Sequence, residues 1–106
     1  MTRLPGAQAV IQIVLRRTNL LMAGKRVAIL GEVPGLAARL RAMGAHPGAD
    51  LAGADLVIAE TPPDLSTLKP GAVVATCGSR GVRVREGVGA VEVAPGHEVF
   101  VLDLTC

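Results

Sequence analysis

Three short apolar runs limit what this chain can fold into: residues 26–30 (RVAIL), 55–60 (DLVIAE) and 72–77 (AVVATC). Each is a nearly unbroken block of aliphatic residues, and Gly or Pro turns flank them. Unbroken runs of this length, rich in β-branched residues, are strands buried on both faces, the pattern of a parallel sheet. Parallel neighbours need crossover connections, and the faces of such a sheet need helices. The spacing predicts one helix over residues 5–22, where Ala7, Val10, Ile11, Val14, Leu15 and Leu21 share a face. Pro5 suits its first turn, Arg16 and Arg17 suit the negative end of its dipole, and Gly24 suits the position just past its end. The turn Gly31-Glu32-Val33-Pro34-Gly35 follows the first run and leads into a second helix over residues 35–43, closed by Gly44. Strand, glycine turn and helix together open a mononucleotide-binding unit.

The rest of the chain is mostly strand and turn. Residues 45–55 hold Pro47 and glycines without apolar periodicity and read mainly as loop. Residues 64–68 amount to one helical turn, and Lys69-Pro70-Gly71 is a turn. Val82 and Val84 alternate with Arg83 and Arg85, as on an edge strand or an extended segment. Residues 90–93 and 99–104 are further strands, divided by Pro95-Gly96. With 106 residues, one domain is expected. The expected fold is α/β: a reduced Rossmann-like domain whose mostly parallel sheet is flanked by helices. Helix 5–22 should lie on one face and helix 35–43 on the other or beside it. Three short helical pieces barely cover a two-sided sheet, so a homodimer is expected to cover the remainder.

Composition narrows the partners. The formal net charge is +2, from 11 basic and 9 acidic residues, with no basic block. Phe100 is the single aromatic residue, so the stacking platforms of nucleic-acid binders are missing. No apolar run approaches the ~20 residues needed to cross a bilayer, and the first residues lack a signal-peptide layout. Cys77 and Cys106 form no CxxC or zinc spacing, and His46 and His97 are isolated. A reduced, cytoplasmic protein is the expectation.

Residues 7–31, AQAVIQIVLRRTNLLMAGKRVAILG, resemble the opening of the NAD-binding domain of the S-adenosylhomocysteine hydrolase family, GQSxxDGIxRATNxxxAGKxVVVxGYGxxG. Gln8, Arg16, Thr18, Asn19, Ala23, Gly24, Lys25 and Gly31 match in register. ADLVIAET over residues 54–61 is similar to the family's GDIFVTTTG, and LKPGAVVATCGSRGVRV over 68–84 to its MKDGAIVxNxGHFDVEI. The tail VEVAPGHEVFVL is loosely similar to VxPQVDEYxL. The resemblance implies a Rossmann fold with NAD as the cofactor. It places Gly31, Gly35, Thr61, Gly78 and Ser79 at the cofactor site.

Departures from the family pattern point away from a working site. The fingerprint GxGxxG needs its second glycine so that the backbone can approach pyrophosphate, yet Val33 stands there. Glu32 adds negative charge beside the phosphates, and Pro34 removes an N–H donor. Asp50 is about as far from Gly31 as the ribose-binding acid should be, but no apolar strand precedes it. The adenosine half of the site is therefore expected to be missing, and the family's histidine is replaced within Gly78-Ser79-Arg80-Gly81. Three further residues each carry two readings: Arg80 as an anion ligand or a solvated loop residue, Cys77 as a nucleophile or buried packing, and Asn19 as a family match or a helix cap. The expected function is a non-catalytic module without a cofactor, working through self-association or a protein partner. The alternatives are a binder of NAD, an adenine nucleotide or another anion that keeps part of the site, and a subunit of a split adenosylhomocysteinase-like enzyme. No acid–base pair or activated nucleophile can be assembled from these residues alone.

Overall fold

A computed structural model describes residues 6–18, 21–61, 63–77 and 88–104. Nine elements follow in chain order: helix α1 (Ala7–Thr18), β1 (Arg26–Leu30), α2 (Leu36–Ala42), β2 (His46–Pro47), β3 (Leu56–Ala59), a 3-10 turn (Leu65–Thr67), β4 (Val73–Thr76), β5 (Val88–Ala94) and β6 (His97–Asp103). They build one six-stranded sheet in the order β2-β1-β3-β4-β6-β5. Every neighbouring pair is parallel except β5 with β6, which is antiparallel. This is the reduced Rossmann-like α/β fold expected from the apolar runs.

Strand alternation divides the core into two layers. On one face, Val27 aligns with Leu56 and Val73, and Ile58 with Ala75 and Leu102. Val10, Ile11 and Val14 of α1 and Leu36 and Leu40 of α2 pack on this face. On the other face, Ala28, Val57, Ala59, Val74 and Val99 are capped by Ala54, Leu68 and Ala72, with Leu51, Leu65, Val91 and Val93 at its margin. Both described helices therefore lie side by side on one face, and Arg39 Nη1 donates to Gln8 Oε1 at 2.8 Å between them. Short connections and the β5–β6 hairpin supply the described cover of the other face, where the strand side chains are mostly Ala and Val.

Element ends differ from the sequence expectation for local reasons. α1 stops at Thr18, whose hydroxyl donates to the Val14 carbonyl at 2.7 Å. The expected helix to residue 22 is thus too long: Leu21 and Met22 are not helical, although Met22 is buried in the helix-side core. Asn19 lies outside the described residues. α2 begins at Leu36 because Gly35 takes a left-handed φ of 80° as its cap. It ends in a Schellman closure, with Gly44 N–H donating to the Arg41 carbonyl and Ala45 N–H to that of Leu40. Residues 45–55 contain a two-residue strand, β2, paired with Arg26 and Val27 through His46 and Pro47. The hairpin strands are longer than expected, and the edge strand expected at Val82 to Arg85 lies outside the described residues.

Asp55 fastens the amino ends of three strands. Its Oδ2 accepts the Arg26 N–H at 2.9 Å, and its own N–H donates to the Arg26 carbonyl at 2.8 Å. Its carbonyl accepts the Val73 N–H at 3.0 Å, and its carboxylate pairs with Lys69. The Arg26 N–H first, and then Lys69, hold the Asp55 carboxyl below the ordinary carboxylate value. A depressed folded-state pKa adds stability above the unfolded-state pKa and loses it as pH falls through the folded one. Asp55→Ala should lower stability at pH 7 by about 1 kcal/mol, the scale of one lost hydrogen bond. Thermal unfolding of both proteins from pH 7 to pH 2 checks this, and the gap should close below the normal carboxylate range.

Candidate functional site

The chain leaves β1 for β2 on one side and returns to β3 on the other, so the strand order reverses between β1 and β3. Open α/β sheets bind ligands in the crevice beyond the carboxyl ends of such strands. Here that crevice is formed by the turn from Gly31 to Gly35 and by Glu60 and Thr61. The Glu60 N–H donates to the Leu30 carbonyl at 3.1 Å, extending the parallel register so that Glu60 lies beside Gly31.

Gly31 has φ 132°, and a Cβ at this position would lie 2.9 Å from Glu60 Cγ and 3.1 Å from Cδ. The room that this glycine leaves is therefore taken by the Glu60 side chain. Glu32 is exposed and Glu60 half-buried, so two carboxylate side chains border the place where a pyrophosphate would lie. Their field repels an anion. Val33, at the second glycine position, is half-buried against the helix-side core. Its side chain packs as core filler, and the side chain that stands against the turn is that of Glu60.

The turn also spends a backbone donor. The Leu36 N–H, the first of α2, donates to the Val33 carbonyl at 3.1 Å. Gly35 has no side-chain cap, and a Cβ there would meet no atom within 4 Å; its left-handed backbone alone calls for glycine. Thr61 is exposed at the mouth of the crevice. Of the five residues expected at a cofactor site, Gly31, Gly35 and Thr61 belong to this one region. Gly78 and Ser79, with Arg80, lie outside the described residues.

Asp50 follows β2 by three residues, so a short strand does precede it, against the sequence expectation, but its carboxylate is turned to its own loop. Its Oδ1 accepts the Gly53 N–H at 3.0 Å and closes the turn before β3. An open depression beside it is lined by Arg26, His46, Pro47, Gly48 and Ala49, along the β2 edge of the sheet. Cys77 is buried and disulfide-bonded, which corrects the expectation of a reduced thiol and removes it as a nucleophile in this state. The chain's other cysteine, Cys106, lies outside the described residues. His46 is exposed, whereas His97 is half-buried at the start of β6 with its Nε2 enclosed and unpartnered. Among the described residues no group of three or more His, Cys, Asp and Glu could hold a metal ion, and no helix is long and apolar enough to cross a membrane.

Glu60 is not among the residues expected to form the site, although it stands where the resembled family's TTTG would have a threonine. Its signal is an acid directly after the second apolar run, which parallel pairing places opposite the first glycine. The fold and this crevice define the class as a reduced Rossmann-like domain. No protein-family model matches the chain, and no curated protein matches it.

Gly31→Ala should destabilise the fold by about 1–3 kcal/mol, because it adds backbone strain to the collision with Glu60. Adding Glu60→Ala should return the steric part only. Denaturant unfolding of the two single variants and the double variant separates the two terms.

Proposed function

We propose that this chain is a non-catalytic Rossmann-like module, related in pattern to the NAD-binding domain of adenosylhomocysteinase, that acts by self-association or by binding a protein partner. The observation that carries this reading is the Glu60 side chain lying against Gly31, where a dinucleotide would need close backbone approach and no negative charge. Two details support it. The Leu36 N–H is already bonded to Val33, and the Asp50 carboxylate to Gly53. The module works without NAD in this reading. The disulfide at Cys77 suits an oxidising compartment, or the cytoplasm of a heat-adapted organism, better than the reduced cytoplasm expected from the sequence.

Native mass spectrometry with and without NAD tests the proposal, with titration calorimetry as the solution check. NAD up to millimolar concentration should leave the protein mass and the heat unchanged. A saturable adduct at micromolar NAD would overturn the cofactor-free reading.

A further inference from the structure

The sheet has two edges of very different character. β2 ends one of them with two residues, the second of which is Pro47. β5 ends the other with seven residues, and among the described residues no strand pairs with its outer side. Natural edge strands are usually short or interrupted by Pro or Lys, because a free row of N–H and C=O groups recruits another strand. β5 contains neither residue, Glu92 is its one charged residue, and its one irregularity, the register shift between Glu92 and Ala94, leaves the segment 88–92 regular.

Hydrogen bonding identifies which backbone groups face outward. The Phe100 and Leu104 N–H groups donate to Ala72 and Thr76, and the Glu98 carbonyl accepts from Gly71, so even-numbered residues of β6 address β4. Backbone direction alternates along a strand, so Val99 and Val101 address β5. Their partners are Val91 and Gly89. Val88, Ala90 and Glu92 therefore present their N–H and C=O groups to the outer edge.

We infer that this edge of β5 pairs with β5 of a second copy of the chain, antiparallel about a two-fold axis at Ala90, to give a continuous sheet through a homodimer. This deepens the self-association reading above and rests on it. The two-fold is self-complementary: Ala90 meets Ala90 of the second copy, and Val88 meets its Glu92. Every outward group of the segment 88–92 is then paired, with on the order of six hydrogen bonds. Charge selects this register over the one centred on Glu92, which would oppose two carboxylates. Sterics agree, since half-buried Val91 faces Gly89 of the second copy, a position without a side chain. An interface this narrow gives a concentration-dependent dimer.

Native mass spectrometry and light scattering across a concentration series should show a species of twice the 10.8 kDa chain mass. Ala90→Pro should shift it to the monomer. Proline at 90 removes an outward N–H and spares the ladder to β6, so the circular dichroism should be retained. Hydrogen exchange on the unmodified protein needs no variant. Under dimer conditions the Ala90 and Glu92 amides should be protected, and dilution to monomer should speed their exchange at least tenfold. A monomer at all concentrations, a folded Ala90→Pro dimer, or fast exchange at Ala90 and Glu92 in the dimer would overturn the inference. None of these results bears on the cofactor-free reading, which the NAD titration decides separately.

Discussion

Burial of the middle of the sheet on both faces is the constraint on which the rest of this structure depends. Every residue of β3 and β4 is buried, while both described helices stand on one face. Among the described residues the opposite face is closed by connections and by the β5–β6 hairpin, and its strands carry small side chains accordingly. A shallow layer can exclude water only where little protrudes, so Ala28, Val57, Ala59 and Val74 suit the thin cover above them. Asp55 complements this arrangement from the ends of the strands, holding β1, β3 and β4 in register through its carboxylate and its backbone.

The crevice at the strand reversal combines a glycine turn with carboxylate side chains at its border. Gly31 has a positive φ, and the turn enters α2 through a left-handed Gly35. Glu60 occupies the space that this glycine leaves, and its carboxylate adds negative charge there. What a Cβ-free position admits depends on its neighbour across the sheet as much as on the turn itself.

Much of the fold is legible in the chain because the strongest local signals are also structural ones. The runs at 26–30, 55–60 and 72–77 are strands to within a residue at each end, since continuous aliphatic segments leave few alternatives. The end of α1 is not legible, because apolar Leu21 and Met22 continue a helical pattern beyond the helix itself. β2 is invisible because two residues, one of them proline, carry no periodicity. Of the site, the missing glycine and the acid at 32 are legible, whereas the obstruction by Glu60 needs the β1–β3 register.

Sequence alone determined the element types other than β2 and the parallel character of the sheet, because burial on both faces demands unbroken aliphatic runs. It also determined that Val33 and Pro34 stand within the glycine turn, which is a matter of residue identity. Tertiary structure alone decided that both described helices share one face, that the half-buried Val33 packs as core, and that Cys77 lies in a disulfide. Those outcomes depend on distances between segments far apart in the chain, which local periodicity does not encode. The same holds for β5, whose place at the edge of the sheet among the described residues follows from the strand order and not from any residue within it.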